Sequence, residues 1–287
     1  MQNPIVAFPG LGLKLSLNRV AVQLGSFEIL WYGVVIGLGF LLAVLYALHR
    51  AKDFSLTKDN IYDLVIFAAP IAILGARTYY ILGDPDVSFL DFLKIRDGGL
   101  AIYGAVIGGA LACLLVSKIK KLNLFDLLDV GGLGLLIGQS IGRLGNFFNI
   151  EVYGRETGSF LRMVLPNGTA VHPLFLYEIL WNVLGFVLLH VYSKHRKFKG
   201  ELFCLYLAWY GLCRAFLESL RDDTFVLRVA GQPLSLILSL LLVLLAAAII
   251  IYMRLRLKKA PAPAADETPS AEPKILPCEE AESTGDQ

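Results

Sequence analysis

Seven long apolar blocks, separated by short polar connections, run along this chain: 27–48, 61–81, 99–117, 125–142, 173–192, 201–219 and 234–253. Each approaches the roughly 20 residues that an α-helix needs to cross the hydrocarbon of a bilayer. The fourth block is rich in glycine, which membrane helices tolerate because it lets backbones approach closely. The pattern predicts an all-α integral membrane protein, a seven-transmembrane-helix bundle. The connections alternate in charge. HRAKDFSLTK, SKIKK, SKHRKFK and RLRLKK place fourteen basic residues on one side, against nine on the other (Lys14, Arg19, Lys94, Arg96, Arg143, Arg155, Arg162, Arg221 and Arg228). The positive-inside rule turns the fourteen toward the cytoplasm. The N-terminus is then outside and the C-terminus cytoplasmic, as an odd number of spans requires. The first block lacks a basic leader, and HRAK follows it in place of a small-residue cleavage site, so it reads as a retained span and not a signal peptide.

This topology divides the chain into an extracytoplasmic N-terminal arm (1–26), a seven-span domain (27–259) and a cytoplasmic tail (260–287). The longest external connection, 143–172, contains turn material at PNGT (166–169) and predicts a small extracytoplasmic head. Composition agrees. Hydrophobic residues make up 56% of the 287 and charged residues only 17%, where soluble domains carry about a quarter. The tail, rich in Pro, Ala and Glu, holds seven acids and one base and reads as disordered. Without it the chain carries a net +8, an excess that suits anionic lipid. Cys113, Cys204, Cys213 and Cys278 have no spacing that suggests a disulfide framework or a metal site, and read as small apolar residues. No metal, no cofactor, no phosphate-cradling loop and no nucleic-acid partner is expected.

Charge at or inside a bilayer is costly and usually faces a bundle interior or a wet cavity. Three clusters carry it here. GRLGNFFNIEVYGRETG (142–158) sets Arg143, Asn146 and Asn149 three apart, with Glu151 just beyond. If the fourth helix continues that far, the first three share one face. On the sixth block, Tyr206, Tyr210, Arg214, Glu218 and Arg221 form one polar stripe, in which Arg214 and Glu218 have the spacing of an ion pair. Arg77 lies within LGARTYYIL on the second block, where a structural role opposite a carboxylate is the plain reading. Around Arg143 the arginines outnumber the nearby acids, and the amides add donors without balancing charge. A surplus of donors at the bilayer surface implies an anion from outside the protein. Arginine suits phosphate through bidentate hydrogen bonds, and the abundant phosphate in a membrane belongs to phospholipid head groups.

GRLGNFFNIEVYGR closely resembles the signature of the bacterial prolipoprotein diacylglyceryl transferase family. ILWYG, LGARTYY, GGLAIYGAVIGG, HPLFLYE and WYGLCRAFLESLR extend the resemblance, in order, over most of residues 8–253. It implies a seven-span inner-membrane enzyme with an outward-facing head and active site. The expected reaction moves the diacylglyceryl group of phosphatidylglycerol onto the lipobox cysteine thiol of a prolipoprotein, and glycerol phosphate leaves. This would be the first step of lipoprotein maturation, with phosphatidylglycerol and the prolipoprotein signal peptide as partners. Carried over by motif, Tyr32, Arg143, Asn146, Glu151, Gly154 and Arg214 are all present. On chemical grounds Arg143 and Arg214 would stabilise the charge that grows on phosphate, and Asn146 would donate to phosphate or glycerol oxygens. Glu151 would orient Arg143 or accept the thiol proton. Gly154 would make a tight turn beside substrate, and Tyr32 would position the head group. Tyr103 departs from the pattern, because many members have histidine there. With an ordinary pKa near 10, tyrosine is a poor base at neutral pH. Either its hydroxyl orients a group or the base lies elsewhere, with His172, on the outer side, the spare candidate. Two other classes fit buried arginines: a phospholipid transporter or scramblase, and a noncatalytic lipid-binding membrane protein. The first predicts inverted repeats, and no convincing similarity between the two halves is present.

Overall fold

A computed structural model describes residues 3–25, 27–84, 92, 99–221, 228–229 and 232–259. The tail from 260, with Cys278, lies outside the described residues, as do Lys94 and Arg96. Seven long helices account for most of the rest: α1 (Trp31–Arg50), α2 (Lys58–Gly83), α3 (Ile102–Ile119), α4 (Leu124–Asn149), α5 (Leu174–Tyr192), α6 (Glu201–Glu218) and α7 (Leu234–Lys259). Six are long and apolar enough to cross a membrane. In α6, Glu201, Arg214 and Glu218 interrupt the apolar character.

Local chemistry sets the helix ends. Thr57 and Asn60 form a reciprocal capping box at the start of α2, and Asn123 accepts from the amides of Phe125 and Asp126 at the start of α4. α4 does not stop at 142 but runs to Asn149, so Arg143 and Asn146 belong to its last turns. α1 starts at Trp31 and not at 27, because Phe27–Leu30 is a strand.

The chain is mostly helical, and the all-α expectation is corrected. Strands β1 (Ile5–Phe8), β2 (Leu13–Ser16), β3 (Val20–Leu24), β4 (Phe27–Leu30), β5 (Met163–Val164), β6 (Ala170–Val171), β7 (Arg228–Val229) and β8 (Gln232–Pro233) are also present. One antiparallel sheet has the order β2-β1-β5-β6; β3–β4 and β7–β8 are separate hairpins. The arm and the 143–172 connection are therefore parts of one small β unit. Val6 and Phe8 alternate inward from β1 and meet Leu17, Met163, Leu165 and Val171 over Phe175 of α5. Such four-residue stretches carry a period-2 signal too short to stand out beside apolar blocks of about 20 residues.

α4 is the hub of the bundle. It packs on α1, α5 and α6, and half of its apolar window is buried, against 11% for α1, α2 and α7. α2 and α3 form a tight hairpin. A Cβ added to Gly104 would lie 2.1 Å from the Gly75 carbonyl oxygen, so the backbones meet where only glycine fits. At one end of the bundle five of the fourteen basic residues of the connections pair with acids. Arg196 reaches Asp126 at 3.1 Å and Asp129 at 2.8 Å, Lys199 reaches Asp126 at 2.6 Å, and Arg254 reaches Glu201 at 2.6 Å. Lys120 pairs with Asp63 and Arg50 with Asp53. The β unit and the polar residues of the candidate site lie at the opposite end.

Candidate active site at the end of the fourth helix

The last turns of α4 carry a chain of polar contacts. Arg143 Nη1 donates to Asn146 Oδ1 at 3.3 Å, and Asn146 Nδ2 donates to Glu151 Oε1 at 2.7 Å. Asn149 Nδ2 reaches the same carboxylate oxygen at 3.4 Å. The amide of Asn146 is thus read with its oxygen on the guanidinium and its nitrogen on the carboxylate. Glu151 can fold back because the backbone reverses there. Ile150 has φ 55°, Val152 has φ 58°, and the Glu151 amide donates to the Asn146 carbonyl at 3.0 Å. β-Branched residues rarely adopt the left-handed region, and each such position costs on the order of 1–3 kcal/mol. That cost is spent on holding Glu151 under the helix end.

On its other side, Arg143 Nη2 forms an ion pair with Glu178 of α5. The excess of arginine expected around Arg143 is therefore smaller than its local sequence suggests, because α5 brings in an acid from 35 residues further along the chain. Two contacts still leave three of the five guanidinium N–H groups of Arg143, and its side chain is 27% exposed. Arg214 is less engaged: its Nη2 lies 3.6 Å from Glu218 Oε2, beyond hydrogen-bonding reach, with 23% of its side chain exposed. Arg221 stands at the same 3.6 Å from that oxygen, so Glu218, itself buried, is shared between two arginines. The expected Arg214/Glu218 pairing is present but loose.

Tyr210 lies one turn before Arg214 on α6, a helix that packs on α4 and α5, which carry Arg143 and Glu178. α4, α5 and α6 therefore contribute to one polar region. Tyr103, in the first turn of α3, is 58% exposed and tilted against Tyr79 with ring centroids 6.0 Å apart. Its hydroxyl makes no hydrogen bond among the described residues. Tyr32, at the start of α1, lies over Gly145, in the stretch of α4 that carries Arg143 and Asn146. Deeper in the bundle, the Tyr206 hydroxyl accepts from Gln139 Nε2 at 2.9 Å, which fixes the lower part of the α6 stripe against α4.

Gly154 is required by protein backbone. A Cβ there would stand 2.3 Å from the Leu220 carbonyl oxygen and 3.1 Å from His172 Cβ. This contact is one tooth of a clasp. The Gly154 amide donates to the His172 carbonyl at 2.9 Å, and the Arg155 amide to the Leu220 carbonyl at 2.9 Å. The Arg155 guanidinium donates to the Ser219 carbonyl, and to the Arg221 carbonyl at 3.2 Å. A cation at a helix C-terminus is favourable in itself, and here it also ties the segment after α4 to the end of α6. His172 sits in the clasp with Nδ1 3.2 Å from the Tyr177 hydroxyl. Burial, with the Arg155 charge second, pushes its pKa below the ordinary histidine value. Arg77 is placed elsewhere. It is buried, donates to the carbonyls of Phe92 at 3.2 Å and Gly99 at 3.1 Å, and lies over the Tyr80 ring, which holds Phe92 and Gly99 against α2.

Sequence reasoning missed Glu178 and Arg155. Glu178 had a legible signal: it is the only charged residue in the apolar α5 sequence LFLYEILWNVLGFVLLHVY other than His190 near its end, and an isolated ionisable group in such a helix marks a functional site by default. Arg155 had none, because its partners are main-chain carbonyls more than 60 residues away.

Fold and site together define a polytopic integral membrane protein with an arginine-rich polar site at one end of its helix bundle. Residues 19–252 match the family model for prolipoprotein diacylglyceryl transferase, and the chain belongs to that family. It is 43% identical over 242 residues to the phosphatidylglycerol–prolipoprotein diacylglyceryl transferase of Listeria monocytogenes, covering 78% of this chain and 87% of that protein. The proteins of the same name from Bacillus cytotoxicus and Bacillus mycoides are 40% and 42% identical over 231 residues, 76% of this chain and 86% of each relative.

Proposed function

We propose that this protein transfers the diacylglyceryl group of phosphatidylglycerol to the lipobox cysteine of a prolipoprotein, the activity for which its relatives are named. All seven helices span the bacterial inner membrane. The β unit, formed by the 1–26 arm and the 143–172 head, faces outward, and the basic connections and the 260–287 tail face the cytoplasm. In the reaction the thiol gives up its proton, which ends on the departing glycerol phosphate, and the sulfur attacks the glyceryl carbon bonded to the phosphate oxygen. A C–S bond forms, the C–O bond breaks, and its electron pair leaves on glycerol phosphate. A free thiol has a pKa of about 8.5, lowered beside arginine, so the site that holds the phosphate also favours the nucleophile.

The observation that carries this reading is that Arg143 of α4 and Arg214 of α6, each with part of its side chain exposed, stand on helices that pack on one another and on α5, at the end where α5 presents Glu178. Charge grows on the phosphate as the C–O bond breaks. Guanidinium groups already fixed toward it stabilise the transition state more than the ground state. Asn146 and Glu151 hold Arg143 from one side. Tyr32 and Tyr103, at the starts of α1 and α3, border the space where the lipid head group would lie. Gly154 acts by keeping the head clasped to α6. The test uses purified protein, phosphatidylglycerol vesicles and a lipobox peptide. The peptide gains the mass of one diacylglyceryl group, and Arg143→Ala abolishes the gain while the protein stays folded and inserted. Lipid movement without thioether product would overturn the reading.

A further inference from the structure

We propose that Glu178 is a positioning residue for Arg143, and that it acts on turnover and not on lipid affinity; this rests on the function proposed above. Glu178 is 7% exposed, on the face of α5 that meets α4, and its ion pair is with Arg143. α4 and α5 do not need a charged pair to adhere. Phe147 stacks on Phe175 with centroids 5.1 Å apart, and Phe148 packs into the same cluster. Buried ion pairs also tend to break even against apolar replacements of the same volume. As adhesive, Glu178 is redundant.

As an orienting group it is well placed. An arginine side chain carries about 2 kcal/mol of rotamer entropy. Asn146 holds one terminal nitrogen of Arg143 and Glu178 holds the other. A guanidinium gripped at both ends has a fixed plane, so its remaining N–H groups point one way. Asn146 is itself held by Glu151, a carboxylate, so both restraints on Arg143 lead back to an acid. The two acids reduce the net positive charge of the site and therefore weaken its attraction for a resting phosphodiester. What they add is direction, which matters most when charge concentrates on the departing phosphate.

Glu178→Gln removes the charge and keeps a hydrogen-bond acceptor of the same length. The expected result is a fall in kcat of about 100-fold, the scale of a 1 Å misplacement, with the KM for phosphatidylglycerol unchanged or lower. Glu178→Asp, which restores the charge on a shorter arm, recovers at least tenfold over the Gln variant. Thermal unfolding of each detergent-solubilised variant establishes that it is folded. If the Gln variant does not fold, the Asp variant alone decides, with a kcat between about 3- and 10-fold below wild type at unchanged KM. A kcat within threefold of wild type in the Gln variant overturns the proposal. So does a rise in KM alone, which makes Glu178 a binding determinant. If wild-type protein forms no thioether product, the functional reading fails instead, and the two failures are distinct.

Discussion

Gly154→Ala tests whether the segment after α4 is registered on the end of α6 by direct backbone contact. The added Cβ would lie 2.3 Å from the Leu220 carbonyl oxygen. A comfortable carbon–oxygen contact is about 3.3 Å, so the two backbones must separate by about 1 Å. Neither can yield freely. The same Leu220 oxygen accepts from the Arg155 amide at 2.9 Å, and Gly154 donates to His172 on its other side. Overpacking of this kind costs about 1–3 kcal/mol, and losing the Arg155 hydrogen bond adds about 1 kcal/mol. The displacement passes to the α6 end that carries Arg214, Glu218 and Arg221, and turnover should fall about 100-fold. The assay is initial-rate transfer to a lipobox peptide at varied phosphatidylglycerol, with thermal unfolding of the same preparations. The expected outcome is lower kcat together with lower stability. Unchanged stability with a raised KM would place the lipid, and not Leu220, against this glycine and refute the reasoning.

Tyr103→Phe should retain at least half of wild-type turnover, because the hydroxyl is exposed and unbonded among the described residues; a loss above tenfold would give that hydroxyl a chemical role. Gly104→Leu should split the α2–α3 hairpin at its closest contact and cost about 3 kcal/mol or more, read as a lower unfolding temperature. His172 should make the clasp pH-sensitive. Its folded pKa lies below the unfolded value of 6.5, so the neutral ring stabilises the fold, fully above about 6.5, and that contribution is lost as pH falls toward the folded pKa. The protection factor of the Arg155 amide, its exchange rate corrected for the intrinsic pH dependence of exchange, should therefore fall between pH 7 and 5 in the wild type and much less in His172→Gln; equal profiles would exclude the histidine.

Much of this protein is a consequence of the one-dimensional pattern. Apolar runs of about 20 residues have few stable conformations in a bilayer other than helices, so the helices were legible, and so was the charge bias of their connections. Arg143, Asn146 and Glu151 were legible as a group because a helix end and one turn bring neighbours in sequence together. Arg214 and Glu218 were legible because residues four apart share a helix face. The β unit was not: its pairing of Ala7 with Val164 depends on how the bundle brings distant segments to the same end. The partner of Arg143 was not either, since α4 could have met another face of α5. The same holds for the reason that residue 154 is glycine, which is a carbonyl oxygen 66 residues further along the chain. Local sequence determines which groups are present and what they are able to do; packing between distant helices decides which of them meet.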